Sequence, residues 1–483
     1  MATPTIDYPE LSSYINGTWT RGSGTEEILV LNPATGTELG VVPLGTLEDY
    51  AAALDAATAA FRTWRQTSPL IRSNILRRAA ATLRDQQHEL AELITLELGK
   101  PIKEAQLEVT TAAEHIEWAA EEGRRSYGRD IPARTPRTVQ TARREPLGPV
   151  AGFAPWNAPL ITPARKIAYT LAAGCTLVLK PSEETPGCAL AIAHALEEAG
   201  LPHGVLNVIF GEPQSISNYL LREPRVKGVT FTGSTNVGRT LASLAAPSMK
   251  RLILELGGNA PVIVTPDVDI EAVARASVRA TYRNSGQICT SPSRFIVHEQ
   301  VHDDFVQAFT DQAKTLIVGN GLDENTQMGP VANEQRLSAM AEFTDDARTR
   351  GIDIPVGGHR LGDVGSFWAP TLLAGVDDDC LISNAEPFGP MASTRSFSTL
   401  DEAVAVANRL PVGLASYVWT NSLADATQLV NEIDAGSVVV NRWQASLPET
   451  PFGGYDDSGI GTEGGIEGVA AFQRIKYTSV SSA

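Results

Sequence analysis

Gly228-Val229-Thr230-Phe231-Thr232-Gly233-Ser234-Thr235-Asn236-Val237-Gly238-Arg239-Thr240 runs from an apolar, β-favouring stretch through a glycine turn into a helical repeat. A buried strand that turns directly into a helix is the building unit of an α/β protein. The same texture surrounds it. Residues 150–154, 176–179 and 205–210 read as further buried strands, with helices near 159–173, 186–199 and 213–222 between them. That alternation predicts a parallel, doubly wound sheet. A second α/β run begins near Ala260, with candidate strands at 262–264, 294–297 and 437–440 and helices near 268–284, 300–316 and 401–408. Upstream, 46–66 and 70–98 space their apolar residues three and four apart and are expected to be amphipathic helices. The second closes on Gly99-Lys100-Pro101, and a third helical run continues to about Gly123. Two segments stand outside the pattern, 124–145 and 474–483. Both alternate polar and β-favouring residues and are expected to pair as an extension of a sheet.

The glycine turn has three readings. Amides exposed at a helix N-terminus bind anions, and glycine lets a phosphate approach the backbone. The spacing nearly matches the Walker A loop GxxxxGK[ST], with Arg239 in the lysine position, which would make the protein an NTPase. That motif needs its lysine on the β- and γ-phosphates, arginine is not an equivalent point charge, and no convincing strand ending in a magnesium-binding aspartate follows. The pyrophosphate of a dinucleotide suits the loop better, although the loop is not GxGxxG. A plain strand-to-helix turn stays open at this point.

Bulk properties narrow the class. A chain of 483 residues is too long for one core, so two or three packed units are expected. A net charge of −17 argues against a nucleic-acid or anionic-membrane partner, either of which would need a basic footprint. Cys175, Cys188, Cys289 and Cys380 lie far apart, suggesting neither a disulfide scaffold nor a zinc site, and a reducing compartment fits. The N-terminal stretch lacks the basic-then-apolar run of a signal peptide. The longest uncharged segment, 146–164, holds five prolines and cannot be a membrane helix. A cytoplasmic protein without a bound metal is expected.

Chemistry concentrates at Cys289 and Glu255, 34 positions apart and each set among glycines. An unpaired cysteine on its own usually behaves as a small buried hydrophobe. Its neighbours change that reading. Pro155-Trp156-Asn157, Lys180-Pro181-Ser182-Glu183, Phe231-Thr232-Gly233-Ser234, Glu255-Leu256-Gly257-Gly258, Gly286-Gln287-Ile288-Cys289, Glu386-Pro387-Phe388-Gly389-Pro390 and Pro451-Phe452-Gly453-Gly454 together resemble the NAD(P)-dependent aldehyde dehydrogenase superfamily, in its order and across essentially the whole chain.

The resemblance implies an α/β fold of two doubly wound parallel-sheet domains and a β oligomerisation arm. The NAD-binding domain would be 1–123 with 147–256, the catalytic domain 257–450, and the arm 124–146 with 466–483, giving a homodimer or homotetramer. It implies Cys289 as nucleophile, Asn157 as oxyanion donor and Glu255 as general base. A thiolate forms a thioester that can later be hydrolysed, and a glutamate retained at 255 favours hydrolysis over transfer to coenzyme A. Lys180 and Glu183 match the positions facing the adenosine ribose, where a carboxylate accepts from a free diol and repels a 2′-phosphate, so NAD is expected over NADP. Gly233 and Ser234 match the pyrophosphate contacts and Glu386 the nicotinamide-ribose contact. Phe388 matches the packing beside the nicotinamide, with Trp156 and Leu256 also on the cofactor side.

For the substrate, Arg165 and Arg283 sit where succinic semialdehyde dehydrogenases carry their carboxylate-binding arginines. Guanidinium forks suit that role, and Arg283 lies six residues before Cys289, where it could line the entrance to the site. Each arginine could equally form a structural ion pair. A helper serine of that branch would fall at Ser446 or Leu447. Ser291 stands where some members have a second cysteine, which rules out a local redox disulfide. Ala158, where phenylalanine is commoner, and Trp443 leave room for an aromatic aldehyde instead, and because relatives acting on aromatic aldehydes can carry an arginine matching Arg165, Arg283 is expected to be the better discriminator.

Overall fold

The computed structural model describes residues 4–482, so residues 1–3 and 483, the outer ends of the expected first domain and arm, lie outside the described residues. Among the described residues, an eight-stranded sheet is built on five parallel strands. Their spatial order is Leu206–Val208, Thr176–Lys180, Pro149–Phe153, Gly228–Thr232 and Arg251–Glu255. The chain steps outward from Pro149–Phe153 to Leu206–Val208, then returns to place Gly228–Thr232 on the other side. The strand order therefore reverses between Pro149–Phe153 and Gly228–Thr232, which opens a crevice above their carboxyl ends. Gly459–Ile460 comes back to pair antiparallel with Arg251–Glu255, so the 451–465 region helps complete this first sheet.

A seven-stranded sheet forms the second unit: Thr371–Ala374, Met391–Phe397, Arg294–His298, Pro261–Val264, Ala415–Trp419 and Ser437–Val440 run parallel, and Asp353–Val356 is antiparallel at the edge. Leu256 to Ala260 leads from the carboxyl end of Arg251–Glu255 to the amino end of Pro261–Val264. The two sheets thus face each other with opposite strand ends. The first contributes carboxyl-end loops, and the second contributes the loop that precedes Arg294–His298, which holds Cys289. Separate apolar clusters fill the two units, one around Leu177, Leu206 and Phe210 and another around Val262, Phe295 and Tyr417.

Two expectations need correction. Residues 70–98 form not one helix but two, Pro69–Asp85 and Gln87–Leu98, with Gln86 at φ −96°, ψ 20° between them. Leu90 to Leu98 is buried on every side, so that piece must turn into the core, whereas the first piece keeps a solvated face. Residues 124–145 and the tail do not extend a domain sheet. Gln473–Ser481 pairs antiparallel with Thr138–Pro146, and Arg129–Ile131 adds a third strand to a sheet of their own. Pro146 and Pro149 have no N–H to donate and Gly148 lies at φ 144°, so the ladder cannot run on into Pro149–Phe153. Among the described residues, no helix is long and apolar enough to cross a membrane.

Candidate active site

The candidate nucleophile, Cys289, follows a strained turn. Helix Ile270–Tyr282 ends into Asn284, Ser285 and Gly286, which adopt φ values of 50°, 54° and 70°. Side chains disfavour that region, and it persists only where surroundings impose it. The surroundings are explicit. Asn284 N donates to Glu104 Oε2 (2.9 Å), Ser285 Oγ to the Gly329 carbonyl (2.8 Å), and Ala332 N to Gln287 Oε1 (2.9 Å). A Cβ on Gly286 would stand 2.0 Å from the Gly389 carbonyl oxygen, so only glycine fits. Cys289 follows, half-buried, and all four cysteines are unpaired. Burial pushes its thiol up to about 12; Glu386 and Glu255 add to the rise while Arg165 opposes it.

Asn157, buried in the loop after Pro149–Phe153, is tied to that turn. Its Nδ2 donates to the Gln287 carbonyl (2.9 Å), and Asn284 Nδ2 donates to its main-chain carbonyl (2.9 Å). One amide N–H is thereby fixed and the second is left free. Glu255, last residue of its strand, is 3% exposed, and neither carboxyl oxygen has a hydrogen-bond partner. The Glu463 amide favours its charge but falls short of a hydrogen bond. Burial raises its pKa well above the carboxylate range and the Glu463 charge raises it further, against Lys166 and Arg165. Behind it Lys166 Nζ meets Glu463 Oε1 at 3.1 Å, and Thr230 Oγ1 donates to the same oxygen at 3.2 Å. The sequence reading missed this buried pair, because only the fold brings Lys166 and Glu463 together.

The crevice side carries the glycine turn and helix start on which a pyrophosphate can rest. Gly233 ends Gly228–Thr232 at a point where a Cβ would lie 2.4 Å from the Phe231 ring. Ser234 then caps helix Thr235–Ala245, accepting from Val237 N at 3.4 Å. Bare backbone at a helix start is a phosphate site. Arg239, in the lysine position of the Walker A reading, is turned outward to Asp457 (2.5 Å), which removes the triphosphatase reading. At the end of the neighbouring strand, Lys180 Nζ pairs with Glu183 Oε1 at 2.6 Å. On the far wall Phe388 (φ 44°) packs edge-on to Trp156 at 5.5 Å. Burial lifts Glu386 to about 8, against the Gly258 amide and Arg336. Its Oε2 lies 2.7 Å from where a Gly257 Cβ would be, and Leu256, buried, donates its N–H to the Ser458 carbonyl (2.9 Å).

The two candidate substrate arginines part company. Arg165 lies close enough to Cys289 and Glu255 to shift both. Its Nε donates to His115 Nε2 (3.0 Å), its Nη2 to Ser446 Oγ (2.8 Å), and its guanidinium stacks 5.0 Å from the Phe452 ring centre. Ser446, rather than Leu447, is the serine that reaches it. Arg283 is exposed, and its charge bears on Glu104 and Tyr417 rather than on the thiol. Tyr417 Oη donates to the Thr290 carbonyl (2.7 Å) and packs 5.0 Å from Trp443, placing an aromatic wall beside the nucleophile loop.

Fold and site together define the class, an α/β oxidoreductase with a cysteine set where two sheets meet over a dinucleotide crevice. The chain belongs to the aldehyde dehydrogenase family, which it matches over residues 19–478. It is 43% identical over 477 residues to the 4-(hydroxymethyl)benzenesulfonate dehydrogenase of Comamonas testosteroni, covering 99% of both chains. It is 38% identical to the NADP(+) succinate-semialdehyde dehydrogenase of Escherichia coli, over 96% of this chain and 97% of that one. The crystal structure of succinate-semialdehyde dehydrogenase from Burkholderia pseudomallei superposes with a TM-score of 0.96 at 38% identity, covering 98% of each.

Proposed function

We propose that this aldehyde dehydrogenase oxidises, with NAD, an aldehyde that carries an anionic group at its far end, and releases the free carboxylic acid. Succinic semialdehyde is the simplest such substrate. The observation that carries this reading is Arg165, anchored by His115, Ser446 and Phe452 within the electrostatic reach of Cys289 and Glu255. The relatives add a common denominator: one is named for a semialdehyde acid, the other for a ring bearing a sulfonate. An aromatic aldehyde with an anionic substituent is the second reading, favoured by Tyr417 and Trp443 beside Thr290.

In this reading Glu255 first takes the Cys289 thiol proton and passes it to solvent; the thiolate then bonds to the carbonyl carbon, and the C=O π pair moves to oxygen. The free N–H of Asn157 and the Cys289 main-chain N–H stabilise that alkoxide. A nicotinamide dinucleotide, when bound, would supply the two-electron hydride acceptor that this oxidation needs. Gly233 and Ser234 would hold its pyrophosphate, Lys180 and Glu183 its adenosine ribose, and Glu386, Phe388, Trp156 and Leu256 its nicotinamide end. Glu255 then takes a proton from water, which adds to the thioester and displaces the Cys289 thiolate. A carboxyl whose pKa burial has raised is a stronger base than an exposed one. Glu183 disfavours a 2′-phosphate, so NAD is the expected acceptor although one relative is named for NADP(+). The arm exposes Val139, Ile475, Tyr477 and Val480, and is the proposed contact between copies in a homodimer or homotetramer. A cytoplasmic setting suits a catalytic thiol.

One assay tests the reading: reduced-cofactor formation from NAD and from NADP with succinic semialdehyde, butanal, 4-carboxybenzaldehyde and benzaldehyde. The expected result is higher kcat/KM with NAD and for the anionic member of each pair. Arg165→Ala should cost about tenfold to a hundredfold more in kcat/KM for anionic substrates than for neutral ones, which lose only the Arg165 charge acting on Cys289 and Glu255. Equal losses on both would refute the anion reading, and an NADP preference would refute the Glu183 argument.

A further inference from the structure

The guanidinium of Arg165 has five N–H donors, and the structure spends them unevenly. Nε is given to His115 Nε2 at 3.0 Å and one Nη2 hydrogen to Ser446 Oγ at 2.8 Å, while Phe452 covers one face. The remaining Nη hydrogens form the end-on edge that meets a carboxylate or sulfonate with two parallel bonds. An arginine side chain free to rotate could offer that edge in many directions. This one is held at its Nε, at its Nη2 and over its face.

His115 is the unusual member. It is buried (1% exposed) in helix Ile102–Gly123, and accepting from Arg165 through Nε2 requires the proton to sit on Nδ1. That Nδ1 is buried and has no partner. An unpaired buried donor costs stability, and a phenyl ring of similar size would fill the space without that cost. Burial and the Arg165 charge both hold the imidazole well below its ordinary pKa, so it stays neutral and remains an acceptor. The same helix face carries Glu104, which accepts from Asn284 N, and Glu108, whose Oε1 accepts from Leu160 N (3.0 Å) and Ile161 N (3.3 Å). Glu108 thereby fixes the start of helix Ile161–Ala173, from which Arg165 projects. One helix thus sets both the backbone that bears the arginine and the direction of its side chain.

We infer that His115 is a specificity-determining positioning residue: as a neutral acceptor it turns the Arg165 guanidinium so that its Nη edge faces the anionic end of the substrate. The inference rests on the reading of Arg165 as the partner of that anion. Its unpaired Nδ1 is the cost of an acceptor in this place, and its contribution belongs to KM for anionic aldehydes rather than to the chemical step.

The test compares His115→Phe, His115→Gln and Arg165→Ala with the wild type, using succinic semialdehyde against butanal and 4-carboxybenzaldehyde against benzaldehyde. KM and kcat are read separately, with Tm measured alongside. His115→Phe should raise KM for the anionic member of a pair by about tenfold or more, while kcat and the neutral member's KM stay within about twofold. His115→Gln, whose carbonyl can accept from Nε, should recover most of the lost selectivity. If His115→Phe weakens anionic and neutral substrates alike, or Gln behaves as Phe does, the residue is only structural and the inference falls. If Arg165→Ala abolishes selectivity while His115→Phe leaves it intact, the anion reading stands and the role of His115 is overturned. If Arg165→Ala itself leaves selectivity unchanged, both fall together.

Discussion

Cys289 is held as a thiol by its surroundings. Burial and the charges of Glu386 and Glu255 lift its pKa to about 12, against the pull of Arg165, so in the free enzyme the thiolate is scarce near neutrality. The sign follows directly: an acid with a raised pKa loses its proton only as pH climbs toward that value, and the thiolate is the reactive form. Alkylation of Cys289 by iodoacetamide in the cofactor-free protein should therefore accelerate about tenfold per pH unit from pH 7 to 10 without a plateau. Mass spectrometry of the modified peptide over time checks this, and a plateau below pH 9 would show that the thiolate is stabilised in the free site. The identity of this residue was legible in the motif Gly286-Gln287-Ile288-Cys289, as was Glu255 in its own. Their pKa values were not, since these depend on Glu386, Arg165, Lys166 and Glu463, which are brought close only by folding.

At the scale of elements, alternation of apolar runs and helical spacing located four parallel strands of the first sheet within a residue or two, because strands buried on both faces read as continuous apolar stretches, but it missed Arg251–Glu255 and the antiparallel strands Ser13–Ile15, Thr18–Thr20 and Gly459–Ile460. Met391–Phe397 escaped notice because its sequence, Met-Ala-Ser-Thr-Arg-Ser-Phe, is half polar; Thr394 and Ser393 are buried and find partners only in the folded sheet. The break at Gln86 escaped for a related reason: Pro69–Asp85 and Gln87–Leu98 share one helical periodicity, and only the core decides that the second must turn inward. The turn at Asn284, Ser285 and Gly286 positions the proposed nucleophile. Gly286→Ala would place a methyl at φ 70° and 2.0 Å from the Gly389 carbonyl oxygen. It should cost about 2 kcal/mol or more of stability, and at least about tenfold in kcat through displacement of Cys289. Thermal melting and steady-state kinetics measure the two effects, and a variant that melts and turns over like the wild type would show that the turn relaxes freely.

For the molecule as a whole, the proposed assembly has a direct test. Gln473–Ser481 and Thr138–Pro146 form a sheet whose Ile475 is 70% and Val480 66% exposed, more apolar surface than an isolated strand pair leaves in water without cause. Ile475→Asp with Tyr477→Asp should shift the mass measured by light scattering toward the monomer while leaving the far-ultraviolet circular dichroism intact. An unchanged oligomer would place the contact elsewhere. The sequence by itself determined the family and the α/β class and singled out the candidate nucleophile, base and cofactor loop, because each rests on a local run of residues whose chemistry or backbone tolerates few substitutes. Only the tertiary structure told the two candidate arginines apart. Arg165 and Arg283 are equivalent as letters, but one is held by His115, Ser446 and Phe452 from two distant parts of the chain, while the other is exposed. Side-chain direction and local field are properties of contacts between remote segments, and no local pattern encodes them.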